Sequence, residues 1–492
     1  MFGGVGLRSK VILYLLGEIL YFLGAVFAVP LLVSFFYHDV GEPVFLFCML
    51  LSVGAGFILK KFGQKLAFHQ DMTNREGILT VVLTWITAAF LASLPFMMTD
   101  MLDPFGAFFE AMSGLTTTGA TALSEIEGWP TSLLFWRIWL HWIGGLGIIV
   151  IFIALLPTIS GSAAHLFNAE SSGFEGERIK PRLHKTALTL FSIYGQITII
   201  AILLLKICGL DFYDAVTHAM SAVATGGFSG YNDSVAHFHN VGAEVVLGIV
   251  MLISGGNFAL YFNIHQRGFR VLLRDDEFRW YLALVMVLTG IVTISLVDNG
   301  HAFGSGLRDA FFQIASFAST TGYVSADYDQ WPAVAKMCLM LLYFTGACAG
   351  STAGGIKISR FVVLLRGIQA GVSRALHPKE TKPILYNGRR IDNSVFSVVL
   401  VFFFLYVGVF VFFSAAVVCT GVGLREAVTG VASCISSAGP GFGPVIGATG
   451  NYSTLPSAAK VLLAFVMLLG RLEMYTVLIL FSKKFWQGNS RW

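Results

Sequence analysis

Four short stretches carry the residue types and spacing that point to chemistry. They read A-F-F-E-A-M-S-G-L-T-T-T-G from Ala107, A-V-T-H-A-M-S-A-V-A-T-G-G from Ala215, A-F-F-Q-I-A-S-F-A-S-T-T-G from Ala310 and A-V-T-G-V-A-S-C-I-S-S-A-G from Ala427. Aligned without gaps, the first column is always Ala, the seventh always Ser (Ser113, Ser221, Ser316, Ser433) and the last always Gly (Gly119, Gly227, Gly322, Gly439). The eleventh is a hydroxyl residue each time: Thr117, Thr225, Thr320, Ser437. No base recurs beside these hydroxyls, so they do not form a nucleophile set. Glycine instead permits backbone angles that turn carbonyls inward. Four such strands around one axis would replace the water of a bare cation with backbone oxygens. The candidate ligands are Thr117, Thr118 and Gly119; Thr225, Gly226 and Gly227; Thr320, Thr321 and Gly322; Ser437, Ala438 and Gly439. The alternative is four hairpins that only pack.

A second candidate is T-G-A-C-A-G-S-T-A-G-G-I-K, Thr345–Lys357. Its glycines Gly346, Gly350, Gly354 and Gly355 make a poor helix, each costing about 1 kcal/mol against Ala. The expectation is an unwound loop, small enough to block a pathway or move aside; the alternative is a close-packing helix of small residues. A phosphate-loop reading fails, because Lys357 is displaced from the G-K-[ST] position and no strand precedes it. The Gly144–Gly147 run fails likewise as a dinucleotide site.

Arg471, in F-V-M-L-L-G-R-L-E-M, falls inside the last apolar segment, where charge is costly and by default functional or paired. With Lys357 it would add positive potential beneath the carbonyls and bias a closed state. A structural Arg–Glu pair or snorkelling is the alternative. His141 and His218 could relay protons, although packing histidines are commoner. The six cysteines (Cys48, Cys208, Cys338, Cys348, Cys419, Cys434) are scattered without a CxxC and signal neither disulfides nor zinc.

The elements that must position these residues are membrane spans. Of 492 residues 56% are hydrophobic and 12% charged, with 53 Gly and 44 Phe, against about 25% charged in an average soluble domain. Mean hydropathy is +0.75. Apolar runs of span length recur, as in Val11–Phe36, Ile78–Met98 and Val395–Cys419, which excludes a water-soluble enzyme. The first run is too long for a cleavable leader. With the N-terminus inside, segments 1–10, 60–77, 160–186, 265–280, 357–393 and 483–492 hold 25 of the 32 Lys+Arg, and both termini are cytoplasmic. Sixteen of the 28 acidic residues fall outside, where they concentrate cations or merely form a solvated rim. No inside segment is long enough for a nucleotide-binding domain.

The glycines lie 108, 95 and 117 residues apart, which sets a repeat of about 100. Each repeat is a span, a half-helix of 15–18 Å that dips without crossing (about 1.5 Å per residue), a carbonyl strand and a second span. Irregular backbone at that depth survives only where it lines a path. The negative ends of the four half-helices would point at the centre.

This unit, repeated four times with one Gly per loop, resembles the Trk/Ktr/HKT superfamily of potassium translocation proteins. The resemblance spans essentially the whole chain, and the two extra N-terminal spans (Val11–Phe36, Val44–Leu59) make it most similar to the bacterial Trk branch. It rests on T-T-T-G-A at Thr116–Ala120, S-T-T-G-Y at Ser319–Tyr323 and S-S-A-G-P-G at Ser436–Gly441, with A-T-G-G-F at Ala224–Phe228 in the second loop. The fold expected is an all-α polytopic membrane protein, two accessory helices plus four pore-loop repeats around a pseudo-four-fold pore. Its division is 1–76 accessory, 77–159 repeat 1, 160–185 linker, 186–266 repeat 2, 280–372 repeat 3 with the loop 345–357, 373–393 linker and 394–485 repeat 4.

The resemblance implies potassium uptake at a bacterial inner membrane, with potassium and rubidium preferred because all four filter positions are Gly. It also implies a homodimer, a cytosolic nucleotide-binding TrkA-like subunit, and a fourth-repeat Arg near the gating loop. Potassium is the bound and transported ion; no covalent cofactor, nucleic-acid partner or enzyme chemistry is implied. A proton- or sodium-coupled symporter on the same architecture is the rival. A membrane-embedded enzyme would need paired acids or a His–Asp set at the inner interface, which is not found.

Overall fold

The computed structural model describes residues 7–64, 72–147, 183–377 and 383–487. The end of the first repeat from 148 to 159, and residues 160–182 and 378–382 of the expected linkers, lie outside the described residues.

The chain is helical and opens with an antiparallel pair, Ser9–Tyr37 and Gly41–Phe62. Gly17 and Gly56 face each other so closely that a Cβ on either would meet the other's carbonyl oxygen at 2.8–2.9 Å. Small residues at this crossing let the two backbones approach, as membrane helices require in the absence of a hydrophobic force between them. Lys60 pairs with Glu18 at 2.7 Å. The connecting turn carries Asp39, whose carboxylate accepts from Ser34 Oγ (2.5 Å), Gly41 N (3.0 Å), Ser132 N (2.8 Å) and Ser132 Oγ (2.7 Å). It thereby ties the pair to the first repeat, and Phe27 stacks on Trp136 at 4.7 Å along the same seam.

Four repeats follow. The first spans are Asn74–Met98, Leu183–Ile207, Asp276–Asp298 and Asn393–Val418. The dipping half-helices are Pro104–Leu115, Phe212–Val223, Phe303–Ala318 and Leu424–Ser436. Each first span reverses into its half-helix through one residue in the left-handed region: Asp100 (φ 53°), Gly209 (94°), Gly300 (93°) and Gly421 (93°). This turn signal recurs in the sequence outside the thirteen aligned columns. Exposed apolar side chains such as Ile207, Phe404 and Phe412 cover the outer faces of the first spans, as a surface solvated by lipid requires.

The second spans depart from expectation. The sequence places a break only in the third repeat, between Ala333–Leu342 and Ile358–Leu376. Two others are bent as well, by 94° between Val241–Ser254 and Phe258–Ile264 and by 118° between Ser457–Arg471 and Met474–Phe481. The helix Thr131–Gly145 of the first repeat also stops at its glycines. Two of these sites carry a glycine in close backbone contact. A Cβ on Gly144 would overlap the carbonyl oxygen of Leu115, and one on Gly470 that of Ile435. At these depths the second span runs against the last turn of a half-helix, where only glycine fits. Among the described residues six helices are long and apolar enough to cross a membrane, or eight if each bent pair is one span.

A short hairpin pairs Leu385–Tyr386 with Arg389–Arg390. Its turn residues Asn387 and Gly388 both have positive φ (48° and 73°), the geometry an Asn-Gly hairpin turn demands.

Candidate ion pathway

Each half-helix ends in the same backbone device. The amide of the twelfth column donates to the carbonyl of the invariant serine: Thr118 N to Ser113 O (2.9 Å), Gly226 N to Ser221 O (2.9 Å), Thr321 N to Ser316 O (2.8 Å) and Ala438 N to Ser433 O (2.9 Å). The eleventh column is left-handed in all four copies (Thr117 φ 54°, Thr225 54°, Thr320 56°, Ser437 57°), and so is the thirteenth (Gly119 78°, Gly227 85°, Gly322 81°, Gly439 92°). The residue between them is not. Alternating handedness brings successive main-chain groups to one side of the strand. A hydroxyl residue held left-handed costs about 1–2 kcal/mol, so this strain is repeated four times in one place.

The four strands close into a ring. A Cβ on Gly119 would overlap Gly226 O, one on Gly227 would overlap Thr321 O, and one on Gly322 would overlap Ala438 O. A Cβ on Gly439 would stand 2.6 Å from Thr118 O, which returns to the first loop. The twelve sequence-predicted ligands are therefore brought together. Thr117, Thr118, Thr225, Thr320, Thr321, Ser437 and Ala438 are buried, and no charged side chain belongs to the ring. What the ring offers a cation is carbonyl and hydroxyl oxygen plus the negative ends of four half-helices.

Support for the ring comes partly from residues the motif alignment passes over. Thr118 Oγ1 meets Thr116 Oγ1 at 2.8 Å, and Thr321 Oγ1 meets Ser319 Oγ at 2.7 Å. The fourth strand is held by three tyrosines, Tyr452 donating to Gly439 O (2.9 Å), Tyr343 to Pro440 O (2.5 Å) and Tyr328 to Gly441 O (3.0 Å). In the first repeat the fully buried pair Glu110–Arg137 (2.7 Å) fixes the strand's exit, with Ala122 N donating to Glu110 at 2.7 Å. The fourth column, Glu110, His218, Gln313 and Gly430, varies: Glu110 pairs with Arg137 and His218 meets Ser229 Oγ. Nothing in the spacing could reveal that.

Directly below lies the loop of the third repeat. It is pinned at its ends by Gly346 N donating to Ile356 O (2.8 Å) and at its middle by Cys348 N donating to Gly255 O (3.0 Å). Gly350 (φ 72°) and Gly355 (φ 70°) supply the left-handed turns. The loop touches the floor of the ring: Gly354 N donates to Thr320 Oγ1 (2.9 Å), and Thr225 Oγ1 to Thr352 Oγ1 (3.2 Å). Lys357 is buried at the loop's end and donates to Ala353 O. Glu277, which the sequence reading does not single out, accepts from Ala349 N (2.7 Å) and Ser359 N (2.9 Å) and so clasps both sides of the loop.

Arg471 ends the helix Ser457–Arg471 under the ring. It donates to Thr352 O (2.8 Å) in the loop and to Gly145 O (2.8 Å) and Gly144 O in the first repeat, with Thr117 Oγ1 at 3.5 Å. Gly144 and Gly145 of the run Gly144–Gly147 thus serve as carbonyl acceptors rather than part of a nucleotide site. Glu473 pairs with Arg360 at 2.7 Å. His141 and His218 are buried among hydroxyls and main-chain groups, as His218 with Ser229 Oγ (3.0 Å). Among the described residues no group of three or more His, Cys, Asp or Glu could hold a metal ion.

Residues 51–491 match the family described as TrkH, cation transport protein. The chain is 33% identical to the Trk system potassium uptake protein TrkH of Escherichia coli (strain K12), over 98% of this chain and 100% of that one. It is 32% identical to TrkG of the same organism, over 97% and 99%. The crystal structure of the potassium transporter TrkH from Vibrio parahaemolyticus superimposes with a TM-score of 0.88 at 30% identity, covering 98% of this chain and 100% of that one.

Proposed function

We propose, from the premise that the chain belongs to the TrkH family of cation transport proteins, that the ring of four strands is the selectivity filter through which it takes up potassium. Potassium uptake across a membrane is the function, and the chain is a multi-pass transporter rather than an enzyme. The observation that carries the filter reading is the closure of the ring, each glycine seated against the middle carbonyl of the next loop. A cation on the axis exchanges its water for these oxygens, and the absence of side chains at the four glycines leaves them free to face it.

The loop 345–357 and Arg471 form the gate. Arg471 holds the loop to the first repeat beneath the filter and places a fixed positive charge on the cation's exit, which raises the barrier there. Opening requires the Arg471–Thr352 contact to break and the small-residue loop to move aside. The glycines Gly346, Gly350, Gly354 and Gly355 give the loop its close contacts: a Cβ on Gly346 would overlap Gly354 O, and one on Gly354 would overlap Ser436 O.

The location is the bacterial inner membrane with both termini in the cytoplasm, supported by the basic inside segments. The working assembly is a homodimer joined on its cytosolic face by a nucleotide-binding TrkA-like subunit that drives the gate. The short hairpin with Arg389 and Arg390 exposed belongs to that face.

Potassium and sodium flux into liposomes, with and without Gly119→Ser, tests the filter. Potassium-selective flux that loses selectivity in the variant is expected; sodium passing equally before mutation overturns it. A reversal potential that ignores a proton gradient separates this channel from the coupled symporter.

A further inference from the structure

The four strands share one backbone geometry but not one means of support: the fourth, with Ala438 at its middle, is held by tyrosines, and the second has neither device at its middle residue. In the first and third loops the middle threonine is braced by the hydroxyl two residues earlier, Thr118 by Thr116 and Thr321 by Ser319. The second loop has Ala224 and Gly226 at these two positions, so both halves of the brace are missing. The space is not empty. A Cβ on Gly226 would overlap the imidazole of His141, on the helix Thr131–Gly145 of the preceding repeat. The ring of His141 is buried, stacks on Phe228 with centroids 4.2 Å apart and planes 13° apart, and places Nδ1 3.3 Å from Ser221 Oγ and 3.5 Å from Phe228 N. Because an amide can only donate, Nδ1 faces it as the acceptor. Gly226 itself does not have positive φ, so its backbone would accept a side chain; the atoms nearest to an added Cβ all belong to the imidazole.

We infer that His141 is the positioning residue of the second filter strand, a side chain lent by the first repeat in place of the threonine brace, and that it sets potassium-over-sodium discrimination there. The inference rests on the filter reading. Its logic is rigidity: a carbonyl strand discriminates between cations only while its oxygens hold their spacing. The strand Thr225–Phe228 lacks any side-chain hydroxyl on its middle residue to hold it.

The test reads ion binding rather than flux, so a closed gate does not mask it. Purified full-length protein is heated in potassium or in sodium, and the stabilisation by each ion is compared, since a bound ion raises the unfolding temperature by mass action. His141→Leu keeps the bulk and removes the acceptor. It is expected to raise the potassium concentration needed for half-maximal stabilisation about tenfold, the scale of one hydrogen bond, and to abolish the preference over sodium. His141→Gln keeps an acceptor and is expected to retain the preference. Gly226→Thr alone should lose it, because the threonine and the imidazole claim one space. His141→Ala combined with Ala224→Ser and Gly226→Thr should regain it by rebuilding the brace of the first and third loops. A residue that only filled space would give neither the Gln retention nor this rescue. An unchanged preference in His141→Leu overturns the inference, as does a triple variant no better than His141→Ala. Gly119→Ser serves as the control. If it too leaves the preference intact, or if wild type shows none, the filter reading fails; if only His141→Leu is silent, this inference alone fails.

Discussion

Gly322 lies against the carbonyl of Ala438 so closely that a Cβ on it would overlap that oxygen. These residues are 116 positions apart and on different repeats, yet one fixes where the other's carbonyl points. Gly322→Ala adds one methyl at a left-handed residue (φ 81°) in a filled contact. Backbone strain of about 1–2 kcal/mol plus the displaced oxygen should abolish selective potassium uptake while the helices stay folded. Potassium against sodium flux in liposomes checks this, and an alanine variant with wild-type selectivity would refute it.

Arg471→Ala should raise potassium flux through the purified chain alone, because the contacts to Thr352 O, Gly144 O and Gly145 O are lost together. Arg471→Lys keeps the charge but not the planar fork that spans these acceptors, so it should fall between. Flux unchanged or lost in well-folded Arg471→Ala removes the residue from the gate.

Glu277 accepts two amides of the loop region in a buried site. Glu277→Ala leaves both amides unsatisfied, at about 1–3 kcal/mol each. The expected result is a lower unfolding temperature together with a leakier pathway, whereas Glu277→Gln, which retains an acceptor, should lose less of both. Thermal unfolding paired with flux measures it; a destabilised variant that stays tightly closed separates Glu277 from the gate.

Asp39 predicts a pH dependence. Burial pushes its carboxyl up, but hydrogen bonds from Ser34, Ser132 and Gly41 outweigh that and hold it below its ordinary value. A depressed carboxylate stabilises the folded state above the ordinary aspartate value of about 3.9. That stabilisation is lost as pH falls through the lower folded value. Unfolding temperature should therefore fall on acidification below about pH 4, and Asp39→Asn should remove this part of the slope. An identical slope in the variant would count against the docking role of Asp39.

Much of the molecule is legible in the sequence because its determinants are local. Apolar length alone requires spans, since an exposed peptide group in lipid has no partner. The Ser and Gly columns mark the half-helix ends and the left-handed strand residues because those conformations are set within a few residues. Arg471 and Thr345–Lys357 stand out for the same reason, a charge and a glycine run where a span should continue. The bends after Ser254 and Arg471 are not legible. Gly470 looks like an ordinary membrane glycine until Ile435 O is found against it.

Residue order by itself determined that four like strands exist, that each can turn its carbonyls to one side, and that apolar runs of span length recur along the chain. It could do so because backbone handedness and hydrophobic length are properties of short segments. Only the tertiary structure decided that Gly119 meets Gly226 while Gly439 returns to Thr118, that Arg471 bridges the loop to the first repeat, and that His141 occupies the side-chain space of Gly226. Each joins groups 80 or more residues apart in different repeats, or across the loop. The choice among such partners is made by packing, in which a contact exists only once the other helices have fixed its two sides.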